Sequence, residues 1–447
     1  IDPSLTIVPQ TGPRYVNAQL GRDLDADATR DAILAALASG ETRITLKIDE
    51  TQPVAWDADY ADARQRLDNI WDAPIEVVAS DEVWTLTPDQ LAYWLEIHPA
   101  ERPGSPATIT SNEQWIDDVV TEIATFTNRP PQSARVWWDV SGNLVKTSEG
   151  NPGKRLRWDE SRVLVHTAFL GENPTNRVDL PVEITNPPAL PENLGSLGIQ
   201  ANIAEASTEY GGGLPERMHN IELAASRLNG VIVLPGQTFS FNGEMGPTTV
   251  ESGFQIAYGI AEEEDGELRT IPSEAGGICQ VATTVFQPVF WLGYQINERS
   301  HHSYWIPNYT YQGHVGLDAT VDEATGLDLK WTNTTATAVL IEAVADGRYF
   351  TIRLYGSYPP WSVQIDEPRI EDVVEADETI TYQASDSLPD GHTRQIERAH
   401  DGFDVTVTRH VTESGQTRSE NFPASYGPSR NVVLVGSSDG ELPPEYR

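Results

Sequence analysis

One cysteine, two methionines and no apolar run long enough to cross a bilayer set the first limits on this 447-residue chain. With Cys279 alone, no intrachain disulfide can form, so the fold depends on packing and not on covalent staples. A membrane helix needs about 18 or more consecutive apolar residues, and no stretch of that kind is present. Lysine is confined to Lys47, Lys146, Lys154 and Lys330, and 30 Lys and Arg face 67 Asp and Glu, a formal net charge of −37. Nucleic acid and an anionic membrane surface both require a cationic footprint, so neither is an expected partner. The chain is no disordered acidic tail either, because 12 Trp, 15 Tyr and a 39% hydrophobic content supply real cores. The opening Ile-Asp-Pro-Ser carries no charged or apolar leader. The expectation is an extracellular protein from which a targeting or anchoring N-terminal segment has been removed, or an excised ectodomain.

At roughly 100–200 residues per domain, the length predicts three or four domains. Two stretches share one order of glycine, polar start, amphipathic helix, glycine, alternating strand and proline. In the first, a helix over Ala28 to Leu37 ends near Gly40, and a strand from Thr42 to Ile48 leads to Pro53. In the second, a helix over Glu160 to Leu170 ends at Gly171, and a strand from Asn176 to Ile184 leads to Pro187. A hairpin around Ser141-Gly142-Asn143 precedes the second copy. Residues 1–110 and 111–196 therefore read as tandem small α+β modules, followed by a Pro/Gly-rich linker. Residues 200–358 read as a helix packed on an antiparallel sheet. The helix runs from Gly277 to Gly293 with Pro288 expected to kink it. Strands are expected around 295–299, 303–306, 316–321, 327–332, 339–344 and 349–355. Residues 362–438 read as strand and turn throughout. The fold class is multidomain α+β.

Candidate chemistry concentrates between residues 276 and 318. Cys279 follows Gly276 and Gly277 at the expected first turn of a helix, where backbone amides and the helix dipole stabilise a thiolate. His301 and His302 follow, and then Asp318. Cysteine at a helix start, histidine and then aspartate is the connectivity of papain-like and transglutaminase-like thiol enzymes, with histidine activating sulfur and aspartate orienting histidine. Two plainer readings stand beside it: a lone cysteine is a small buried hydrophobe in most soluble proteins, and His301, His302, His314 and Asp318 could hold a metal. The acidic run Glu262-Glu-Glu-Asp-Gly-Glu reads as a solvated surface loop.

At these residues the sequence resembles the VanW family over about 201–356. The resemblance rests on Arg217-Met-His-Asn220, Pro235-Gly-Gln-Thr-Phe-Ser-Phe-Asn242, Gly253-Phe254, Gly276-Gly-Ile-Cys-Gln-Val281, Glu298-Arg299 with His302-Ser303, Gly316-Leu-Asp-Ala-Thr-Val321 and Asp328-Leu-Lys-Trp-Thr-Asn333. Two departures are Ala275, where the family pattern often has a third glycine, and Pro288. The segment 1–196 is similar to peptidoglycan-binding modules that precede VanW domains, and 362–438 to glycine-marked β modules of wall adhesins and hydrolases. The resemblance implies a cell-wall location and favours His302 over His301 as the partner of Cys279.

Two functions follow as expectations. In the first, every module binds peptidoglycan or another wall polymer without catalysis. In the second, Cys279, His302 and Asp318 form a thiol hydrolase or transferase acting on peptidoglycan peptides. Arg299 is then expected to bind a carboxylate, Asn242 and Gln280 to donate to an oxyanion, Gly276 and Gly277 to allow close approach of substrate, and Tyr304 to wall a groove. No cofactor is expected.

Overall fold

Asp25 caps the first helix, accepting a hydrogen bond from the Ala28 amide, and Gly40 closes it in the left-handed region at φ 72°. Such local punctuation recurs along the chain, which we describe from a computed structural model covering residues 1–72, 74–171, 175–262, 268–310 and 312–446. The acidic run expected as a surface loop falls largely at 263–267, outside the described residues.

The chain divides into two compact units, residues 1–129 with 154–184 and residues 130–153 with 185–447. The first unit holds helices Ala26–Ser39, Ala61–Asp72, Glu113–Thr127 and Trp158–Leu170 against small sheets. In one of these, Arg177–Leu180 runs parallel to Ile75–Ala79. Val77, Leu91, Val120 and Phe169 are buried at its centre, and Trp94 stacks on Trp115 at 3.7 Å between rings. The expected strand from Thr42 is shorter than its pattern: only Ile48–Thr51 pairs, with Gly21–Leu24. Thr42 to Lys47 buries neither face, so alternation there has no core to point into. Pro181, which lacks a backbone N–H, splits the expected 176–184 strand into Arg177–Leu180 and Val182–Thr185.

The second unit is built on a six-stranded antiparallel sheet ordered Leu144–Ser148, Arg135–Trp138, Val231–Val233, Val339–Ala345, Tyr349–Gly356, Ala201–Glu209. The hairpin expected ahead of the second repeat thus forms, but it extends this sheet and lies in the second unit. Helices Pro215–Leu228 and Ile278–Trp291 pack on the sheet. The second of these is buried along almost its whole length and continues through Pro288, where a kink was expected. Two expected strands are absent as ladders: 303–306 and 316–321 meet their neighbours through isolated bridges, Tyr304 with Gly427 and Ser300 with Thr320. The reason is visible in the second. Leu317, Asp318 and Ala319 are all buried, and side chains serve their backbone: Thr283 Oγ1 accepts from the Ala319 amide and donates to its carbonyl, both at 3.0 Å. Arg299 donates to the carbonyls of Gly316 and Asp318.

Residues 362–436 are all strand and turn. Ser362–Ile365 and Arg369–Val374 pair with Gly402–Glu413, which forms a long hairpin with Gln416–Tyr426. Its two turn residues, Ser414 and Gly415, both have positive φ (49° and 80°), the turn whose twist suits a two-residue hairpin. The hairpin packs on the central helix through Val407 and Phe422, which join the same core as Val285, Phe286 and Phe290. Arg409, with its side chain fully buried, lies about midway over the rings of Phe290 and Phe422, 5.0 Å from each. It donates to the carbonyls of Phe290 and Tyr294, each at 2.8 Å, and pairs with Glu420 at 2.6 Å. A cation on the last carbonyls of a helix complements its dipole. Replacing Arg409 by Leu leaves those carbonyls and Glu420 without their donor. The expected cost is about 3 kcal/mol, read as a lower urea midpoint for the second unit at unchanged slope.

Candidate functional site: a buried thiol, imidazole and carboxylate

The site begins with a loop that only small residues can make. Ala275 holds φ 52°, a left-handed backbone at the position where a glycine was the family expectation, and Gly277 has φ 111° as the N-cap of the helix. A Cβ on Gly276 would sit 2.7 Å from the Tyr258 carbonyl oxygen and 2.9 Å from its amide nitrogen, so no side chain fits there. Gly276 and Gly277 therefore shape the turn that delivers Cys279 to the first helical turn, where amides have no partner within the helix.

Cys279 is half-buried and its sulfur lies 3.2 Å from the Thr320 hydroxyl and 3.5 Å from the Val321 carbonyl oxygen. The His302 imidazole is near enough to act on the thiol's ionisation. On the other ring nitrogen, His302 Nδ1 meets Asp318 Oδ2 at 2.6 Å, and the His302 backbone amide donates to the same oxygen at 2.9 Å. The second carboxylate oxygen, Oδ1, accepts from Arg299 at 3.0 Å and from the Tyr426 hydroxyl at 2.5 Å. His302 and Asp318 are each 5% exposed, so this is a charge network inside the protein.

Each ionisation follows from these neighbours. Burial alone would push the Cys279 thiol up, but the His302 hydrogen bond and charge, helped by Thr320, outweigh it and leave the thiol below its ordinary value. Burial would push His302 down, and the Asp318 and Cys279 partners reverse this, raising it to about 9. Burial likewise opposes ionisation of Asp318, yet His302, Arg299 and Tyr426 hold it far below the usual carboxylate range. The three groups are thus each shifted toward their ionised forms, thiolate, imidazolium and carboxylate.

The other expected residues take different places. Arg299, expected to bind substrate, is buried and its guanidinium is occupied by Asp318 and by the carbonyls of Gly316, Asp318 and Pro423. It is an internal brace, because no edge remains for a substrate carboxylate. Gln280 is buried as well. Its amide donates to Thr208 Oγ1 and the Glu209 carbonyl, and its oxygen accepts from Arg217 at 2.6 Å. Asn242 donates to the Leu327 carbonyl. Both hydrogens of the Gln280 amide are therefore taken and cannot serve an oxyanion. Tyr304 is 7% exposed and bridges to Gly427, so it lies beneath the C-terminal hairpin and not along an open groove. His301 turns away from Cys279, with Nδ1 on the His302 carbonyl and Nε2 toward the Ser425 amide. Among the described residues no cluster of three or more His, Cys, Asp or Glu side chains is placed to hold a metal ion.

Residue-type reasoning missed Thr320, Tyr309, Arg217 and Tyr426. Tyr309 lies tilted against His302 at 5.3 Å between rings, and its hydroxyl is pushed up to about 12, mainly by burial. Arg217 stood inside a quoted motif without a role. It is half-exposed, and its hydrogen bond to Gln280, the residue after Cys279, holds its guanidinium beside the start of the helix.

Residues 216–355 match the model of the VanW-like protein family. The chain is 31% identical over 208 residues to the uncharacterized protein YoaR of Bacillus subtilis (strain 168), covering 46% of this chain and 65% of that protein. It is 31% identical over 120 residues to vancomycin B-type resistance protein VanW of Enterococcus faecalis (strain ATCC 700802 / V583), covering 27% of this chain and 42% of that one. The chain thus spans less than two thirds of the length of either relative. Among solved structures, an IgA1 protease G5 domain matches at 18% identity and a TM-score of 0.10, over 18% of this chain and 98% of its own. The HP0197 G5 domain matches at 12% identity and a TM-score of 0.09, over 17% of this chain and all of its own. Scores that low carry no argument about fold or function.

The ionised thiol has a direct readout, since Cys279 is the only cysteine. Its alkylation by iodoacetamide, followed against pH, is expected to show an acid inflection below the ordinary thiol range. Acidification through that inflection protonates the thiolate and quenches the reaction. In His302→Ala the charge that outweighs burial is gone, the inflection moves above the ordinary value, and the rate at neutral pH falls about tenfold or more. Matching profiles would exclude the pairing.

Proposed function

We propose, from the premise that this chain carries a VanW-family domain, that the domain is a thiol-dependent acyl-transfer catalyst acting on cell-wall peptides, held at the wall by the modules around it. The observation that carries this reading is the buried His302–Asp318 pair beside the partly buried Cys279, whose thiol His302 draws toward ionisation. A structural cysteine in a core of leucines and valines would need no imidazolium, and a binding module would gain nothing from a buried carboxylate that orients one.

The chemistry follows the geometry. The Cys279 thiolate attacks an amide carbonyl carbon, and charge developing on its oxygen meets the amides of the first helical turn. His302, protonated on the nitrogen facing sulfur, gives that proton to the departing amine as the C–N bond breaks, leaving a thioester on Cys279. Water or an acceptor amine then attacks the thioester while His302 takes its proton, which restores the starting state with hydrolysis or transfer as the outcome. Asp318 remains ionised and holds the ring. Arg217, not Arg299, offers a guanidinium for a carboxylate on the peptide.

Peptidoglycan supplies the substrate class in this reading. The name of the E. faecalis relative ties that protein to vancomycin resistance, and the sequence resemblance of 1–196 and 362–438 to wall modules points to the same polymer. Net charge does not bar it, because recognition of sugars and peptides rests on hydrogen bonds and aromatic faces. An extracellular location belongs to the same proposal.

Purified chain incubated with sacculi and with soluble muropeptides tests it. The expected result is a changed muropeptide profile with wild type and a loss of about a hundredfold or more in Cys279→Ser, which keeps its sacculus binding. The rate should also fall as pH rises through about 9, where His302 loses the proton it must donate. An unchanged profile with intact sacculus binding would favour the non-catalytic reading, in which all the modules only bind.

A further inference from the structure

The C-terminal β module lies against the side of the thiol site opposite the sulfur. Its long hairpin carries Tyr426, 4% exposed, whose hydroxyl donates to Asp318 Oδ1 at 2.5 Å across 108 residues of sequence. The neighbouring backbone is tied to the same segment: the Gly427 amide donates to the Ser303 carbonyl at 2.8 Å, and the Pro423 carbonyl accepts from Arg299 at 3.1 Å. We infer that the C-terminal module completes the thiol site, and that Tyr426 is a positioning residue holding Asp318 against His302.

The argument rests on how a buried carboxylate is fixed. Asp318 Oδ2 receives both His302 donors, and Oδ1 receives Arg299 and Tyr426. The terminal torsion of an aspartate is broad, so its oxygens hold their places only through their partners. Arg299 also braces three carbonyls from the same position, so its geometry is shared among several demands. A short O–H···O⁻ contact is among the stronger hydrogen bonds, and the phenol adds no second charge. Strand register delivers it. Phe422, Ala424 and Tyr426 are buried on one face of Gln416–Tyr426, and a slip of one residue would present Ser425 instead.

Packing alone would also bury this ring, which lies 5.3 Å from the Phe403 ring and 5.8 Å from His301. Phenylalanine preserves those contacts and removes only the hydroxyl, so Tyr426→Phe separates the two roles. The inference rests on Cys279 being ionised by His302, and the test keeps the two apart. Iodoacetamide alkylation of Cys279 is measured against pH in the full chain for wild type, Tyr426→Phe, Asp318→Asn and the double variant, each with its thermal unfolding midpoint.

The expected result is an acid inflection raised by about half a pH unit in Tyr426→Phe, a roughly threefold slower reaction on the acid limb. The same substitution should have no further effect in the Asp318→Asn background, because the hydroxyl acts through that carboxylate. The His302 ring, titrated by NMR in Tyr426→Phe, should move down from about 9, a readout that packing would leave in place even if stability dropped. A Tyr426→Phe profile that superimposes on wild type, an inflection that moves down, or an effect that persists in Asp318→Asn overturns the positioning role. A wild-type thiol that titrates in the ordinary range overturns the ionised-thiol reading first and this inference with it.

Discussion

Everything at the site depends on one helix being held at both of its ends. Ile278–Trp291 presents Cys279 in its first turn and receives the buried Arg409 guanidinium on carbonyls in and just beyond its last. The charges match the dipole: the end with unpaired amides faces the group that becomes negative, and the end with unpaired carbonyls faces the cation. The helix is buried among aromatic and branched side chains of both the sheet and the C-terminal hairpin, so it cannot shift without disturbing either. A nucleophile on such an element needs no ordering when a substrate arrives.

The second constraint is the buried carboxylate. An aspartate taken out of water without partners would simply stay protonated, and a protonated Asp318 would stabilise no imidazolium. Four donors at its two oxygens prevent that. They come from separate stretches of chain: Arg299 and His302 precede the carboxylate, and Tyr426 lies on the hairpin. Thr283 then fastens the Asp318 segment to the helix that bears Cys279 by bonding both polar groups of Ala319. Thiol, imidazole and carboxylate are therefore linked through the backbone as well as through their side chains.

That arrangement explains which parts were legible in the sequence. The glycine pair, the cysteine at a helix start and the order Cys279, His302, Asp318 are local or ordered features, and family motifs singled out His302 over its neighbour. The helix and sheet pattern of 200–358 follows from periodicity. What the sequence could not show was where side chains turn. Arg299 looked like a substrate ligand because a charged residue beside a histidine suggests a site, but its contacts run inward to Asp318 and three carbonyls. Gln280 and Asn242 looked like oxyanion donors, yet the backbone uses both. The strands expected at 303–306 and 316–321 failed for a related reason: alternation and β-branching signal an extended chain, and only tertiary contacts decide whether a ladder or side chains satisfy it. Tyr426 carried only its strand alternation, which predicts a buried face and not what that face meets.

The distribution of positive charge ties these points together. In a chain of net charge −37, a thiolate is disfavoured by the general field and can persist only where cations are placed locally. His302 stands near the sulfur, Arg217 holds the neighbouring Gln280, Arg299 lies behind the carboxylate, and Arg409 secures the far end of the helix. Three of these four are arginines, which stay charged when buried and brace several acceptors from one rigid plane; lysine, so scarce in this chain, does neither as well. The acidic excess therefore does not argue against a thiol site. It requires that the site bring its own positive field, and the residues that supply it are the ones that build the fold around Cys279.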